Sequence, residues 1–302
     1  MPELPDVELY VHALRSRIVE QRLERVRIAS PFLLRTVEPP VSEIEGRTVR
    51  AVSRLGKRIV WRLDDERFVA IHLMIAGRFR WRPPGAAIPA KVGLAAFDFA
   101  GGSLILTEAG ARRRAALYVV RGARGLAALD PGGLDVLTSS RDDFVRAITR
   151  ENHTLKRALT DPHLLSGIGN AYSDEILHAA RLSPLQLTSR LDREAITRLH
   201  DESIRVLTTW RDRLIAEAGD QFPERVTAFR EGMAVHGRYG KPCPVCGTPV
   251  QRIRYAANES NYCPTCQTGG RLLADRALSR LLKEDWPRSL EELEQYKDVR
   301  RP

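Results

Sequence analysis

Several residue types that usually carry an argument about function are scarce in this 302-residue chain, which has four cysteines, three methionines and only 6% aromatic residues. All four cysteines fall between 243 and 266, which leaves none for a disulfide framework through the chain or for a catalytic thiol elsewhere. No apolar run approaches the roughly 20 residues that a membrane-spanning helix needs. The N-terminus carries Glu3, Asp6 and Glu8 where a secretory leader would have basic and then apolar residues. A membrane protein is therefore not expected, and the cytosol is the expected location. Acidic residues are also in deficit: 38 Asp and Glu against 48 Lys and Arg give a net charge of +10, which points to a polyanionic partner. With 43% hydrophobic and 28% charged residues the composition is that of an ordinary globular protein, long enough for two domains.

After Pro5, the positions Val7, Val11, Leu14 and Ile18 mark one apolar face of a helix. Short β-rich runs follow at 25–28, 47–55, 58–63, 68–74, 77–81, 94–99 and 103–107, punctuated by Gly and Pro, and predict an antiparallel sandwich or barrel. Lys57 sits at the corner between two of these runs, where a compact mobile charge suits a phosphate. Met74 ends another run and is placed either in the core or as a wedge. Arg112, Arg113 and Arg114 form a basic loop. A Gly- and Pro-rich stretch from Arg121 to Ser140 marks the domain boundary, and the chain beyond it reads as helical.

In the second half, Ser140 with Asp143 has the spacing of a helix start, and 155–160 reads as a second helix. Asp161 to Asn170 breaks the pattern before 171–180 resumes it. Gly167 and Gly169 leave little bulk at the start of that helix, so its backbone N–H groups make a natural phosphate cradle with Asn170 at its mouth. Asp192 is expected to cap a longer helix with an inner face of Ile196, Leu199, Ser203, Val206, Trp210 and Leu214.

Two features carry chemistry. Cys243, Cys246, Cys263 and Cys266 form two Cys-x-x-Cys knuckles separated by sixteen residues, the pattern of a closed tetrahedral zinc site with no open position for water. The hairpin between the knuckles is expected to present Asn258, Glu259 and Ser260 at its tip. At the other end, removal of Met1 would expose the imino nitrogen of Pro2, a basic secondary amine able to attack a sugar carbon. Glu3 stands beside it to move protons.

Together, Met1-Pro2-Glu3-Leu4-Pro5-Asp6-Val7-Glu8, Lys57 at its turn, Lys156 ahead of Gly167-Ile168-Gly169-Asn170-Ala171-Tyr172, and the terminal cysteines resemble the formamidopyrimidine-DNA glycosylase and endonuclease VIII family over roughly residues 1 to 268. The Glu-Leu-Pro opening is closer to the formamidopyrimidine branch. The resemblance implies an α+β multidomain protein. A two-layer antiparallel β-sandwich with an N-terminal helix would occupy 1–130, a helix-two-turns-helix domain 131–236 and a four-cysteine zinc finger 237–268. The tail over 269–302 is atypical of the family, and there Leu273, Ala277 and Leu281 suggest one helix and Ser289 with Glu292 a capping box for another, a helical extension. The resemblance also implies a monomer that acts on double-stranded DNA containing damaged bases or abasic sites, with one structural Zn2+. Pro2 would be the nucleophile and Glu3 the proton-transfer partner, Lys57 and Asn170 would bind phosphate, Lys156 would face the flipped nucleotide, and Met74 would fill the gap left in the duplex. Base excision would be followed by β- and then δ-elimination.

The chain departs from the family pattern in three places. Asn258 stands where the family has a fingertip arginine, and its amide has neither the charge nor the bidentate fork of that residue. Ala115 and Ala116 follow the arginine run where an aromatic residue is usual, and the region before the finger is short. For these reasons 8-oxoguanine is not the expected preferred substrate. The alternative reading is a non-catalytic or lyase-weak binder of damaged DNA on the same scaffold. A third, a zinc-ribbon factor for RNA or transcription, would make Pro2 and Glu3 dispensable.

Overall fold

Val7, Val11, Leu14 and Ile18 are all 0% exposed in the computed structural model, which describes residues 1–110, 112–255, 258–273, 287 and 289–292. They lie on α1 (Leu4–Ile18), which starts with Pro5 inside its first turn and ends with Arg15 and Arg17, whose charges suit the C-terminal pole of the helix. Eight strands follow: β1 (Arg25–Ile28), β2 (Val49–Leu55), β3 (Arg58–Leu63), β4 (Arg67–His72), β5 (Gly77–Arg82), β6 (Gly93–Phe99), β7 (Gly102–Glu108) and β8 (Ala116–Arg121). They form two antiparallel four-stranded sheets, ordered β1-β6-β7-β5 and β2-β3-β4-β8. Trp61 of one sheet meets Phe97 of the other edge to face at 5.0 Å, which seals the two layers into a sandwich.

The sequence reading missed β8 and the short α2 (Gly122–Ala127) behind it. Residues 115–120 are apolar without alternation, because β8 is buried on both faces as it pairs with β4. The stretch expected as a linker therefore begins with a helical turn.

The register fixes which turns share one rim of the sandwich. Arg58 pairs with His72, and His72 with Ala116, across β3, β4 and β8. The Gly56-Lys57 turn, the turn after His72 and the loop before Ala116 therefore stand at the same end. The turn into β5 is tight. Gly77 donates its N–H to the Leu73 carbonyl at 2.9 Å, and a Cβ on Gly77 would stand 2.2 Å from that oxygen. Gly77→Ala is expected to cost about 1–3 kcal/mol, because the clash is with backbone that cannot rotate away. Chemical denaturation of the purified variant measures it.

In the second half, α3 (Arg141–Thr149) is capped by Ser140, whose hydroxyl accepts the Asp143 N–H at 3.2 Å. Then come α4 (Leu155–Thr160), α5 (Asn170–Ala179) and the long α6 (Arg193–Ala218), whose start is capped by Asp192. All six positions expected on the inner face of α6 are buried. Strands β9 (Gln251–Tyr255) and β10 (Asn258–Tyr262) pair as a hairpin, followed by α7 (Pro264–Thr268).

The chain divides into two compact units, Met1–Gly132 with Leu207–Ala228, and Gly133–Val206 with Phe229–Pro302. The segment 131–236 expected as one domain is thus shared between the two, with its residues 207–228 in the first. Residues 207–228 group with the sandwich because Phe222 packs on Tyr10 and Trp81 and Glu224 takes both arms of Arg82. Of the expected C-terminal helices, Leu273 is buried, while Ala277 and Leu281 lie outside the described residues. At 289–292, the Glu292 N–H donates to the Ser289 hydroxyl at 3.2 Å, as the spacing predicts. Among the described residues, no helix is long and apolar enough to cross a membrane.

Candidate active site and metal centre

The N-terminus is built into the sandwich unit. Pro2 is buried and Glu3 is 2% exposed, held where the chain enters α1. Glu3 and Asp6 cap each other reciprocally, with the Glu3 N–H 2.9 Å from the Asp6 carboxylate. Burial lowers the proton affinity of the terminal amine, and Arg78 and Lys57 push the same way against Glu3 and Asp6. Burial likewise lowers the Lys57 pKa, opposed by the Glu3 carboxylate. The amine, Glu3, Asp6, Lys57 and Arg78 are thus within electrostatic reach of one another, although they come from three separate stretches of chain. With Met1 in place the Pro2 nitrogen is an amide, so its nucleophilicity depends on the removal of that residue.

His72 and Arg78 belong to this cluster and were not assigned by the sequence reading. The pKa of His72 is pushed down to about 4, first by burial and then by Arg58, Lys57 and the terminal amine. The imidazole is therefore neutral near pH 7, and its Nδ1 accepts the Met74 N–H at 3.0 Å. That bond holds Met74 at φ 53°, a left-handed conformation that an unbranched residue adopts only when its surroundings enforce it. Met74 was the expected void-filler, but it is half-buried here. The exposed apolar side chain of the turn is Ile75, at 62%. Arg112, Arg113 and Arg114 are all exposed on the neighbouring loop. The buried carboxylate of Glu108 anchors that loop by accepting the N–H groups of Arg114 at 2.8 Å and Ala115 at 2.9 Å.

In the second unit, Gly167 adopts φ 84° in the turn before α5, a conformation that favours glycine. Gly169 is buried and Asn170 half-buried at the first position of α5. Lys156 is tied to this turn. Its ammonium donates to the Asn170 carbonyl at 2.7 Å and pairs with Asp174, which is 1% exposed. The same carboxylate takes His236 Nδ1 at 2.8 Å, the Ser260 hydroxyl at 3.1 Å and Asn261 Nδ2 at 3.2 Å. Burial alone would raise the Asp174 pKa, but Lys156 and His236 outweigh it and hold it below the ordinary carboxylate value. Next to it, Glu175 accepts the N–H groups of Ala234, Val235 and His236 at 2.7–2.9 Å. Two buried carboxylates on α5 thus grip the chain on both sides of the first cysteine knuckle.

The hairpin tip requires a correction. Glu259 and Ser260 were expected there, but both lie within β10, where Ser260 is 1% exposed and bonded to Asp174. Asn258 opens β10 opposite Tyr255, and residues 256–257 between them lie outside the described residues.

The sulfurs of Cys243, Cys246, Cys263 and Cys266 all lie within 4.8 Å of one another, with Cys246 and Cys263 at 3.3 Å and Cys243 and Cys266 at 4.0 Å. Zinc–sulfur bonds of ~2.3 Å in a tetrahedron require sulfurs about 3.8 Å apart, so the set fits one structural zinc. Bound there, the ion would staple the segment before β9 to α7. Four thiolates leave it no role in activating water.

Three family models match the chain in order. The formamidopyrimidine-DNA glycosylase N-terminal domain covers residues 1–116, the corresponding H2TH domain 133–210, and the zinc finger found in FPG and IleRS 240–269. A formamidopyrimidine-DNA glycosylase-like protein of Mycobacterium tuberculosis is 43% identical over 156 residues, 52% of this chain and 95% of that one. The formamidopyrimidine-DNA glycosylase of Moorella thermoacetica is 32% identical over 268 residues, covering 84% of this chain and 95% of its own. A crystal structure of the Lactococcus lactis enzyme non-covalently bound to DNA containing an abasic site superposes with a TM-score of 0.77 at 26% identity, covering 88% of this chain and 99% of that one. With every module matched in order along its length, the chain belongs to the formamidopyrimidine-DNA glycosylase family of DNA repair glycosylases.

Proposed function

We propose that this protein excises damaged bases from double-stranded DNA and cleaves the resulting abasic site through a Schiff base on Pro2, working as a monomer in the cytosol. The observation that carries this reading is the burial of Pro2 and Glu3 at the entry to α1, in surroundings that lower the proton affinity of the adjoining Met1 amine, with Glu3 and Lys57 in the same cluster. In a chain beginning at Pro2, the nitrogen lone pair attacks C1′ of the extruded nucleotide. The C1′–base bond breaks and the base leaves with its bonding electrons and a proton. Ring opening then gives an iminium, with Glu3 supplying the proton to O4′. A secondary amine forms an iminium that has no N–H to lose, so it stays an electron sink while the proton at C2′ is removed and the 3′-phosphate departs in β-elimination.

Lys57, Arg78 and the loop of Arg112, Arg113 and Arg114 provide cationic charge for phosphate in the sandwich unit. Asn170 and the glycine turn do so in the second unit. Ile75, rather than Met74, is the side chain suited to enter the stack left by the extruded base. Because Asn258 brings no positive charge, the β-elimination product is expected to accumulate ahead of δ-elimination.

Borohydride reduction in the presence of a duplex with an abasic site tests the reading. A covalent protein–DNA complex is expected, and its absence on every abasic and damaged duplex would favour the binding-only alternative. Glu3→Gln is expected to lower single-turnover strand cleavage by about 10²–10⁴-fold. Filter binding at matched salt should show that DNA affinity is kept.

A further inference from the structure

Asp174 and His178 stand four residues apart on α5, so they share one face of the helix. The face that holds β10 through Asp174 also brings His178 Nε2 to 3.3 Å from the Sγ of Cys243. Both residues are buried, His178 at 6% exposure and Cys243 at 3%. Four thiolates around one dication leave a net charge of −2, which has to be met by donors or water. Cys246 is exposed to solvent, and Cys263 receives the Cys266 N–H at 3.5 Å. Cys243 is withdrawn from water, where a negative sulfur without a donor is costly. A metal-bound thiolate can only accept a hydrogen bond, so the imidazole facing it has to carry its proton on Nε2.

We propose that His178 is an outer-sphere partner of the metal centre, donating its Nε2–H to the Cys243 thiolate and thereby fixing the ligand and the electron density on its sulfur. It is a positioning residue: it touches the ligand and leaves the four-sulfur shell intact. It also links the metal to the helix that starts at Asn170, so metal retention and the order of the glycine turn are coupled. The proposal rests on the zinc reading of the four cysteines and is independent of the Pro2 chemistry.

Outer-sphere donors of this kind typically change metal affinity about 10–100-fold. In the full-length protein, His178→Phe keeps the apolar volume and removes the donor, while His178→Gln restores an N–H. Zinc transfer to a chromophoric chelator is expected to be about 10- to 100-fold more favourable for His178→Phe, with recovery towards wild type in His178→Gln. In cobalt-substituted protein, the thiolate-to-metal charge-transfer bands are expected to move to lower energy in His178→Phe, because the sulfur has lost its hydrogen bond, and to return in His178→Gln. Should His178→Phe fail to fold, ¹⁵N NMR of the wild-type imidazole decides the matter: the Nε2-protonated tautomer supports the proposal and the Nδ1-protonated one overturns it. Unchanged chelation and cobalt spectra in His178→Phe would overturn it too, as would a nitrogen among the ligands in zinc X-ray absorption. Absence of stoichiometric zinc from wild-type protein would overturn the zinc reading itself.

Discussion

Protein whose chain begins at Pro2 is expected to form a borohydride-trapped complex with abasic-site DNA, and protein that retains Met1 is not. The difference should be on the order of 10³-fold or more, the scale on which loss of a covalent nucleophile is felt. The lone pair of an amide nitrogen is delocalised into its carbonyl and does not attack carbon. Freed as an amine, the buried Pro2 nitrogen would take the place of the adjoining Met1 amine, whose proton affinity is lowered by burial first and by Arg78 and Lys57, against Glu3 and Asp6. The ascending limb of the single-turnover pH profile is therefore expected below the ordinary α-amine range of roughly 7.7–8.0. Intact-mass measurement sorts the two forms before assay. Equal trapping by both would pass the nucleophile's role to another amine of the cluster, the Met1 α-amine itself or Lys57.

The largest expected loss of stability is from Asp174→Ala. It removes the acidic partner of the Lys156 ammonium and strands His236, Ser260 and Asn261 at a site that is 1% exposed in the wild type. Breaking a buried ion pair from one side costs about 3–5 kcal/mol, and urea denaturation measures it. The pH dependence gives the sign. Asp174 is held below the ordinary carboxylate value, against the effect of burial, by Lys156 and His236. Its contribution is present above the unfolded-state value of about 3.9 and is lost as pH falls through the lower folded value. The gap between wild type and Asp174→Ala should therefore be widest near neutrality and close in acid. A gap that stays constant down to about pH 2 would mean that the carboxylate's charge is not what holds the cluster.

These two expectations differ in how far they could be read from the chain alone. Pro2 and Glu3 are adjacent, and their chemistry follows from an amine beside a carboxylate. What the chain could not give was the grouping of the N-terminus with Lys57, His72 and Arg78: the register of β3 and β4 sets Lys57 and His72 at one rim, and the tight turn after His72 leads into β5, where Arg78 lies. The setting of Met74 was hidden in the sequence for a related reason. Which of two consecutive apolar residues faces solvent in a tight turn depends on backbone φ, and the His72 ring sets it at residue 74.

Local patterns carried most of the architecture. The stripe on α1, the Ser140 and Asp192 caps and the spacing of the four cysteines each depend on neighbours a few residues apart, so helices, strands and metal site were legible in the sequence. The tertiary structure alone decided which distant partners each polar residue would meet. Asp174 is 62 residues from His236 and 86 from Ser260, and His178 is 65 from Cys243. In the sequence these are ordinary polar positions on an amphipathic helix. They acquire meaning only once folding removes them from water, because a buried charge or thiolate must then be paired by whatever donors the fold brings within about 3 or 4 Å.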